Sequence, residues 1–357
     1  MLKTSLDIMH CPDCKGHLDL EIFKKQFGRI QEGLLTCRAC GICYIICDYI
    51  PRMVPENLYS NNEFCENYSI NTTKLLKKWS VIDIEISDIQ NHTESNFGYE
   101  WEHYAELGWI DTAGIDDSST GESARWFREK LLLNKNDING KLVLDAGCGN
   151  GRYTRIASEF GAHIISIDLT RAADVAFKNM ASEKRLAQVC QADLLHLPFK
   201  KNSFDVVFTI GVIQHTGAPL IAVENLARLV KKDGLLSVRT YRKANARLEE
   251  NDAAIRNETV KFTLDELHEF TNIMSDLTNF LLKKGLFFYV SKHLNIFPKK
   301  YDIFDWYAAP VAAKLTYDEL RQIFKQCEIT PFRDLDDGTD AEQRAFGAIS
   351  IVGMKDI

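Results

Sequence analysis

With 357 residues, 45% of them hydrophobic and 26% charged, the chain is long enough for more than one folded unit, yet no apolar run approaches a bilayer span. A formal charge of −7 gives no general attraction for phosphate backbones and disfavours a nucleic-acid substrate. No charged-then-apolar segment follows Met1, so the ten cysteines are expected to be thiols or metal ligands of a soluble, cytoplasmic protein with no membrane attachment.

The first of these cysteines are Cys11-Pro-Asp-Cys14 and Cys37-Arg-Ala-Cys40, two C-x2-C turns. Each turn aims two thiolates at one point, and two turns complete a closed tetrahedral zinc site with no open position for chemistry. Residues 18–23 and 33–36 read as short strands between them, a ribbon too small to hold together without a metal. Cys37, Cys40, Cys43 and Cys47 also follow the C-x2-C-x2-C-x3-C spacing of iron–sulfur proteins. That alternative strands Cys11 and Cys14, so Cys43 and Cys47 are read as buried strand residues and the zinc as structural. The segment, with its ending Tyr44-Ile-Ile-Cys-Asp-Tyr-Ile-Pro51, resembles the Trm112-like zinc domain; Tyr49 stands where that family usually has glycine. A zinc-binding unit is expected over residues 1–60.

Residues 71–96 show no clear period and read as a connector with one short helix at 74–79. Phe97-Gly-Tyr-Glu-Trp101, Trp109, Arg125 and Trp126 make the following stretch rich in aromatics.

The stretch Leu142-Val-Leu-Asp-Ala-Gly-Cys-Gly-Asn-Gly151 is an apolar strand running into three alternating glycines, with an acid seventeen residues beyond the last of them at Asp168. Gly147, Gly149 and Gly151 let the backbone turn sharply against a ligand, and the helix that follows points its positive end there. Asp168 closes its own strand, placed to accept hydrogen bonds from two ribose hydroxyls. A further strand ends in Asp193, and Asp205-Val-Val-Phe-Thr-Ile210 leads to Gln214 and His215. Strands alternating with helices imply a doubly wound, Rossmann-like α/β sheet. This ordered series resembles the class I S-adenosylmethionine-dependent methyltransferases of the type 11 group. The resemblance implies a methyltransferase domain over residues 120–357 that binds S-adenosylmethionine through Asp145, Gly147, Cys148, Gly149, Gly151, Asp168, Leu169, Asp193, Leu194 and Ile210. It further implies a linker and cofactor-covering segment over residues 61–119, in which Tyr99, with Arg125 beyond it, could meet the methionine carboxylate.

Residues 241–310 exceed what the minimal fold needs. The capping box Thr263-Leu-Asp-Glu266 opens a long helix with Leu264, Leu267, Phe270, Ile273, Met274, Leu277, Phe280 and Leu281 at helical spacing, a stripe suited to the core or a homodimer interface. The insert is expected to act as a lid. Thr316-Tyr-Asp-Glu319 caps a further helix to Cys327, and residues 346–354 read as a last strand.

The composition of the insert suits a small, partly apolar methyl acceptor, and the resemblance of residues 97–101 and 304–310 to small-molecule and sugar methyltransferases implies a sugar or secondary-metabolite intermediate, with His215 as the candidate general base and Gln214, Tyr241 and Asp305 behind it. Two alternatives stand beside this: a tRNA or rRNA methyltransferase, and a non-catalytic cofactor-binding activator of a partner protein.

Overall fold

The computed structural model describes residues 1–80, 84–109, 121–183, 188–335 and 347–356. Its ribbon strands are β1 (Leu18–Gln26), β2 (Arg29–Cys37), β3 (Cys43–Cys47) and β4 (Ile50–Met53). The alternating strand-and-helix region contributes β5 (Leu142–Ala146), β6 (His163–Asp168), β7 (Gln188–Ala192), β8 (Phe204–Ile210) and β9 (Val230–Arg242), followed by β10 (Ile329–Asp334) and β11 (Gly347–Lys355). All eleven join one sheet in the order β1-β2-β3-β4-β7-β6-β5-β8-β9-β11-β10. Its centre is parallel, and β11 runs antiparallel between β9 and β10. The central strands are buried almost throughout, as a parallel sheet covered by helices on both faces requires.

The zinc ribbon is not a bead on a string. β4 pairs in parallel with β7 through Arg52↔Gln191 and Met53↔Ala192, so the ribbon extends the central sheet. Arg52 is buried at this joint, forms a two-point ion pair with Asp174 at 2.6 and 2.8 Å, donates to Gln191 at 3.1 Å and lies over the Tyr59 ring. The β3–β4 hairpin turns on Asp48 (φ 50°) and Tyr49 (φ 70°), both left-handed, as a two-residue type I′ turn demands. A tyrosine at that φ is strained where glycine would not be. Here the ring stacks on Phe177 at 5.3 Å, fastening the turn to the neighbouring helix.

The connector departs most from expectation. Residues 74–79 form no helix beyond the short 3₁₀ turn Thr72–Lys74, whereas Ile84–His103 is a 20-residue helix that includes the Phe97–Trp101 motif. It escapes periodicity analysis because its inward positions mix residue types: Gln90, Thr93, Phe97 and Glu100 recur at three- and four-residue spacing and are all buried.

The insert supplies helices Ala246–Thr259, Leu264–Lys283, Phe287–Val290 and Lys300–Ala308, and the capping boxes at Thr263 and Thr316 both form. It is stitched together by Asp252, which accepts from Asn295 (2.9 Å), Lys314 (2.8 Å) and the Trp306 indole. The long helix turns a different face inward than its hydrophobic stripe predicts. Leu267, Thr271, Ser275, Thr278 and Leu281 are buried, whereas Ile273, Leu277 and Phe280 face solvent. The reason is polar: Ser275 and Asn279 both donate to the Pro298 carbonyl, at 2.9 and 3.0 Å, which fixes the rotation of the helix. The last expected strand is β11; Phe346, like residues 81–83 and 110–119 of the linker, lies outside the described residues. Among the described residues no helix is long and apolar enough to cross a membrane.

Candidate active site and zinc centre

The Sγ atoms of Cys11, Cys14, Cys37 and Cys40 lie within 4.8 Å of one another, with Cys14 and Cys37 at 3.4 Å and Cys11 and Cys40 at 3.9 Å. A tetrahedral zinc with bonds of about 2.3 Å needs sulfurs roughly 3.8 Å apart, so the four thiolates fit that ion. Gly16 makes room for them, because a Cβ there would come within 2.8 Å of the Cys37 sulfur. Cys43 instead meets Thr36 and the Gly41 carbonyl, and Cys47 meets Asn61 and Asp48, which breaks up the iron–sulfur spacing. The four N-terminal cysteines thus form a closed set able to hold one zinc ion.

At the carboxyl ends of the parallel strands a cavity of about 520 Å³ opens. It is the right size and place for a nucleoside cofactor and part of an acceptor. Strand order spreads the candidate residues along it. Asp193 and Leu194 follow β7, Asp168 and Leu169 end β6, Gly147, Cys148 and Gly149 follow β5, and Ile210 ends β8; all line the cavity. Asp168 accepts from the Gly149 amide at 2.9 Å and from the Thr170 amide and hydroxyl at 3.0 and 2.8 Å, which orients its carboxylate across the glycine turn. Gly149 stands where any side chain would meet the Trp101 ring within 3 Å.

Four of the expected cofactor residues lie elsewhere. Asp145 is buried behind the loop, accepting from Thr154 at 2.7 Å, with its carboxyl pushed up to about 7 by burial. Gly151 packs its φ 86° turn against Ala176 of the next helix. Tyr99 points away from the cavity to His268 (2.8 Å) and Phe304, and Arg125 is exposed beside Glu129. The helical phase explains Tyr99, since Phe97, Glu100 and Trp101 occupy the face toward the cavity and Tyr99 the one toward the insert. Cations that do line the cavity are Lys130, Arg152, Arg239 and Lys299.

The Ile84–His103 helix also supplies residues that sequence reasoning misses. Gln90 donates to Asp193 at 2.7 Å, and His196, stacked on Trp79 at 4.0 Å, meets the same carboxylate oxygen at 2.8 Å. At the opposite end Glu100, Asp302 and Asp305 form an acidic wall with Tyr241. Burial, reinforced by Asp302 and Asp305, pushes Glu100 well above the carboxylate range, and one of its oxygens has no partner among the described residues. Asp305 accepts from Tyr241 at 3.3 Å and is pushed up to about 6 by burial and by Asp302. Burial, then Arg239, brings Lys130 down to about 8.

His215 faces the cavity from a 3₁₀ turn between Phe97 and Tyr241. Its Nδ1–H donates to the Val311 carbonyl at 2.7 Å, and its Nε2 accepts from Gln214 at 3.1 Å. Burial holds the imidazole down to about 3, so it is neutral at physiological pH. With both nitrogens engaged, the ring ties the cavity wall to the far end of the insert; taking a proton requires release of the Gln214 contact.

Comparison with known proteins adds identity to this geometry. Residues 144–238 match the methyltransferase domain model, and residues 3–48 match the Trm112p-like protein model. An uncharacterized protein of Methanocaldococcus jannaschii, MJ0638, is 33% identical over 159 residues, 43% of this chain and 67% of that protein. The tRNA U34 carboxymethyltransferase of Desulfotalea psychrophila is 32% identical over 132 residues, 36% of this chain and 40% of its own length. The probable tRNA methyltransferase 9B of Mus musculus is 30% identical over 139 residues, 38% of this chain and 29% of that protein. The chain thus spans well under half of the two relatives named for tRNA. Their names nevertheless overturn the expectation of a small-molecule acceptor with nucleic acid disfavoured. The physical reason is that −7 is a sum over the whole chain and does not describe the charge of any one surface.

Proposed function

Because the chain belongs to the class I S-adenosylmethionine-dependent methyltransferases and carries a Trm112-like zinc domain at its N-terminus, we propose that it methylates tRNA. The observation that carries the substrate assignment is that relatives from Desulfotalea psychrophila and mouse alike are named for tRNA. S-adenosylmethionine, when bound, supplies the methyl group. Asp168 would hold the ribose, and Asp193 with Leu194 the adenine, since both acids end strands on the crevice side of the sheet. Gly147, Cys148 and Gly149 would bring backbone against the cofactor, and Arg152 or Arg239 would take over the methionine carboxylate that Tyr99 and Arg125 do not reach. Phe97 and Trp101 line this part of the cavity and would exclude water from the bound cofactor.

The acceptor base would then enter beside Ile210, against Tyr241, Glu100, Asp302 and Asp305. In-line methyl transfer needs positioning above all, and an acid with a value near 6 is placed to remove a proton where the acceptor must lose one. His215 would shape this chamber in its neutral form. The zinc centre, with no open coordination position, would act structurally. Ten cysteines without a disulfide support a cytoplasmic location.

The test is incubation of the full chain with methyl-labelled S-adenosylmethionine and unfractionated tRNA, followed by nuclease digestion and chromatography. A labelled nucleoside is expected. Asp168→Ala should weaken cofactor binding by the 1.5–3 kcal/mol or so that hydrogen bonds to a charged group contribute, about 10- to 150-fold in Kd. Label that enters only a small-molecule fraction would overturn the proposal.

A further inference from the structure

The insert carries a run of positive charge. Residues 277–301 contain Lys283, Lys284, Lys292, Lys299 and Lys300 and no Asp or Glu, in a chain whose net charge is −7. All five lysines are exposed. Aromatic and apolar side chains are interleaved with them and equally exposed: Phe280 at 53%, Phe288 at 72% and Tyr289 at 69%. The lysines sit on the rings, with the Lys284 ammonium 6.0 Å from the Phe280 centroid and that of Lys292 5.3 Å from Phe288. Burial of Thr271, Ser275 and Thr278 in place of the apolar stripe is what leaves Ile273, Leu277 and Phe280 outside.

The chain leads from this surface to the cavity. Pro298 is bound by Ser275 and Asn279 of the long helix, and the next residue, Lys299, lines the cavity together with Tyr301, to which it donates at 3.1 Å.

We infer that this surface, the far end of the Leu264–Lys283 helix with Phe287–Val290, docks an unpaired segment of the RNA substrate, its bases stacking on Phe288 and Tyr289 and its phosphates on Lys283, Lys284 and Lys292. The inference rests on the tRNA reading above and says where that substrate is held. Exposed rings with adjacent cations are what unpaired nucleotides use, since every base has a stackable face and every link a charge. Interleaving matters: a membrane-surface helix keeps its cations on the face opposite its rings, whereas here they share one surface.

The test compares the full-length protein with Phe288→Ala/Tyr289→Ala and Lys283→Ala/Lys284→Ala, measuring binding to unfractionated tRNA across a salt series, cofactor affinity, binding to vesicles with anionic headgroups, and sedimentation. The aromatic pair should weaken tRNA binding on the order of tenfold or more. The lysine pair should flatten the salt dependence by about one to two phosphate contacts. Cofactor affinity should stay unchanged in both, which excludes misfolding. If the wild-type chain binds tRNA and both variants bind it equally, the docking surface is wrong while the function stands. If the wild type neither binds nor methylates tRNA, both fail. Vesicle binding, or a dimer, that the aromatic pair abolishes while tRNA affinity stays constant would assign the surface to a membrane or to a second copy and overturn the inference.

Discussion

The zinc ribbon and the helical insert are both additions to the same parallel sheet, and they are attached differently. The ribbon joins edge to edge: β4 hydrogen-bonds to β7, and Arg52 plugs the joint with a buried ion pair. The insert leaves from β9 and returns through Val311; one backbone bridge between Arg242 and Leu315 closes its base, and its body is held by side-chain contacts such as Asp252 with Lys314 and His215 with the Val311 carbonyl. A ladder of backbone bonds fixes register and spacing rigidly; side-chain stitching fixes a position but leaves most of the added surface to solvent. The rigid addition therefore suits a scaffold, and the looser one a substrate contact.

The most severe way to probe this contrast is to remove the metal. Cys37→Ser should lower zinc from one per chain to almost none by elemental analysis, with folding free energy on the order of 10 kcal/mol at stake at a four-cysteine site. Because β4 belongs to the main sheet, cofactor affinity should fall too. A ribbon that unfolds while cofactor binding is untouched would mean that the edge-to-edge joint transmits nothing.

The insert has its own weak point in acid. His215 has its folded-state value depressed from 6.5 to about 3, so between those values the unfolded chain takes up a proton that the folded chain refuses. Its contribution is therefore full above pH 6.5 and is lost as pH falls toward 3, up to about 5 kcal/mol if the whole shift is realised. His215→Asn should make the acid limb of melting temperature against pH shallower. An unchanged limb would remove His215 from the joint.

Arg52→Ala tests the ribbon's side of the comparison without touching a zinc ligand. Leaving Asp174 unpaired at the joint should cost about 3 kcal/mol, a drop of roughly 4 °C in melting temperature for a chain of this size, with zinc retained. Loss of zinc together with the drop would show that ribbon and joint fold as one unit.

The smallest effect is expected at Thr263→Ala, which deletes one capping box for about 1 kcal/mol. Hydrogen exchange should speed up in the first turn of the Leu264–Lys283 helix and hardly at all in the ribbon or the central strands. Faster exchange across the whole sheet would mean that the insert is as tightly coupled as the ribbon.

What could be read in the chain itself follows from how local each signal is. The C-x2-C pairs, the glycine loop, Asp168, Asp193 and the two capping boxes are short patterns whose chemistry lies within a few residues, so zinc site, cofactor crevice and helix starts were legible without a fold. Resemblance points Asp145 and Gly151, and more loosely Tyr99 and Arg125, toward the cofactor, but it carries no helical phase and no direction. Phase turns Tyr99 toward the insert, where it packs on Leu267 and Phe304, and depth places Asp145 behind the loop. The Ile84–His103 helix stayed hidden because it faces the polar cavity as well as the core, so its inward side carries Gln90 and Glu100 beside Phe97. The insert's rotation was decided by two hydrogen bonds to Pro298, and the acidic wall by the meeting of Glu100 with Asp302 and Asp305 across some two hundred residues of chain. Sequence determined which chemistries are present; tertiary packing alone decided which of them meet, because side-chain direction and long-range contact are set only once the elements are docked.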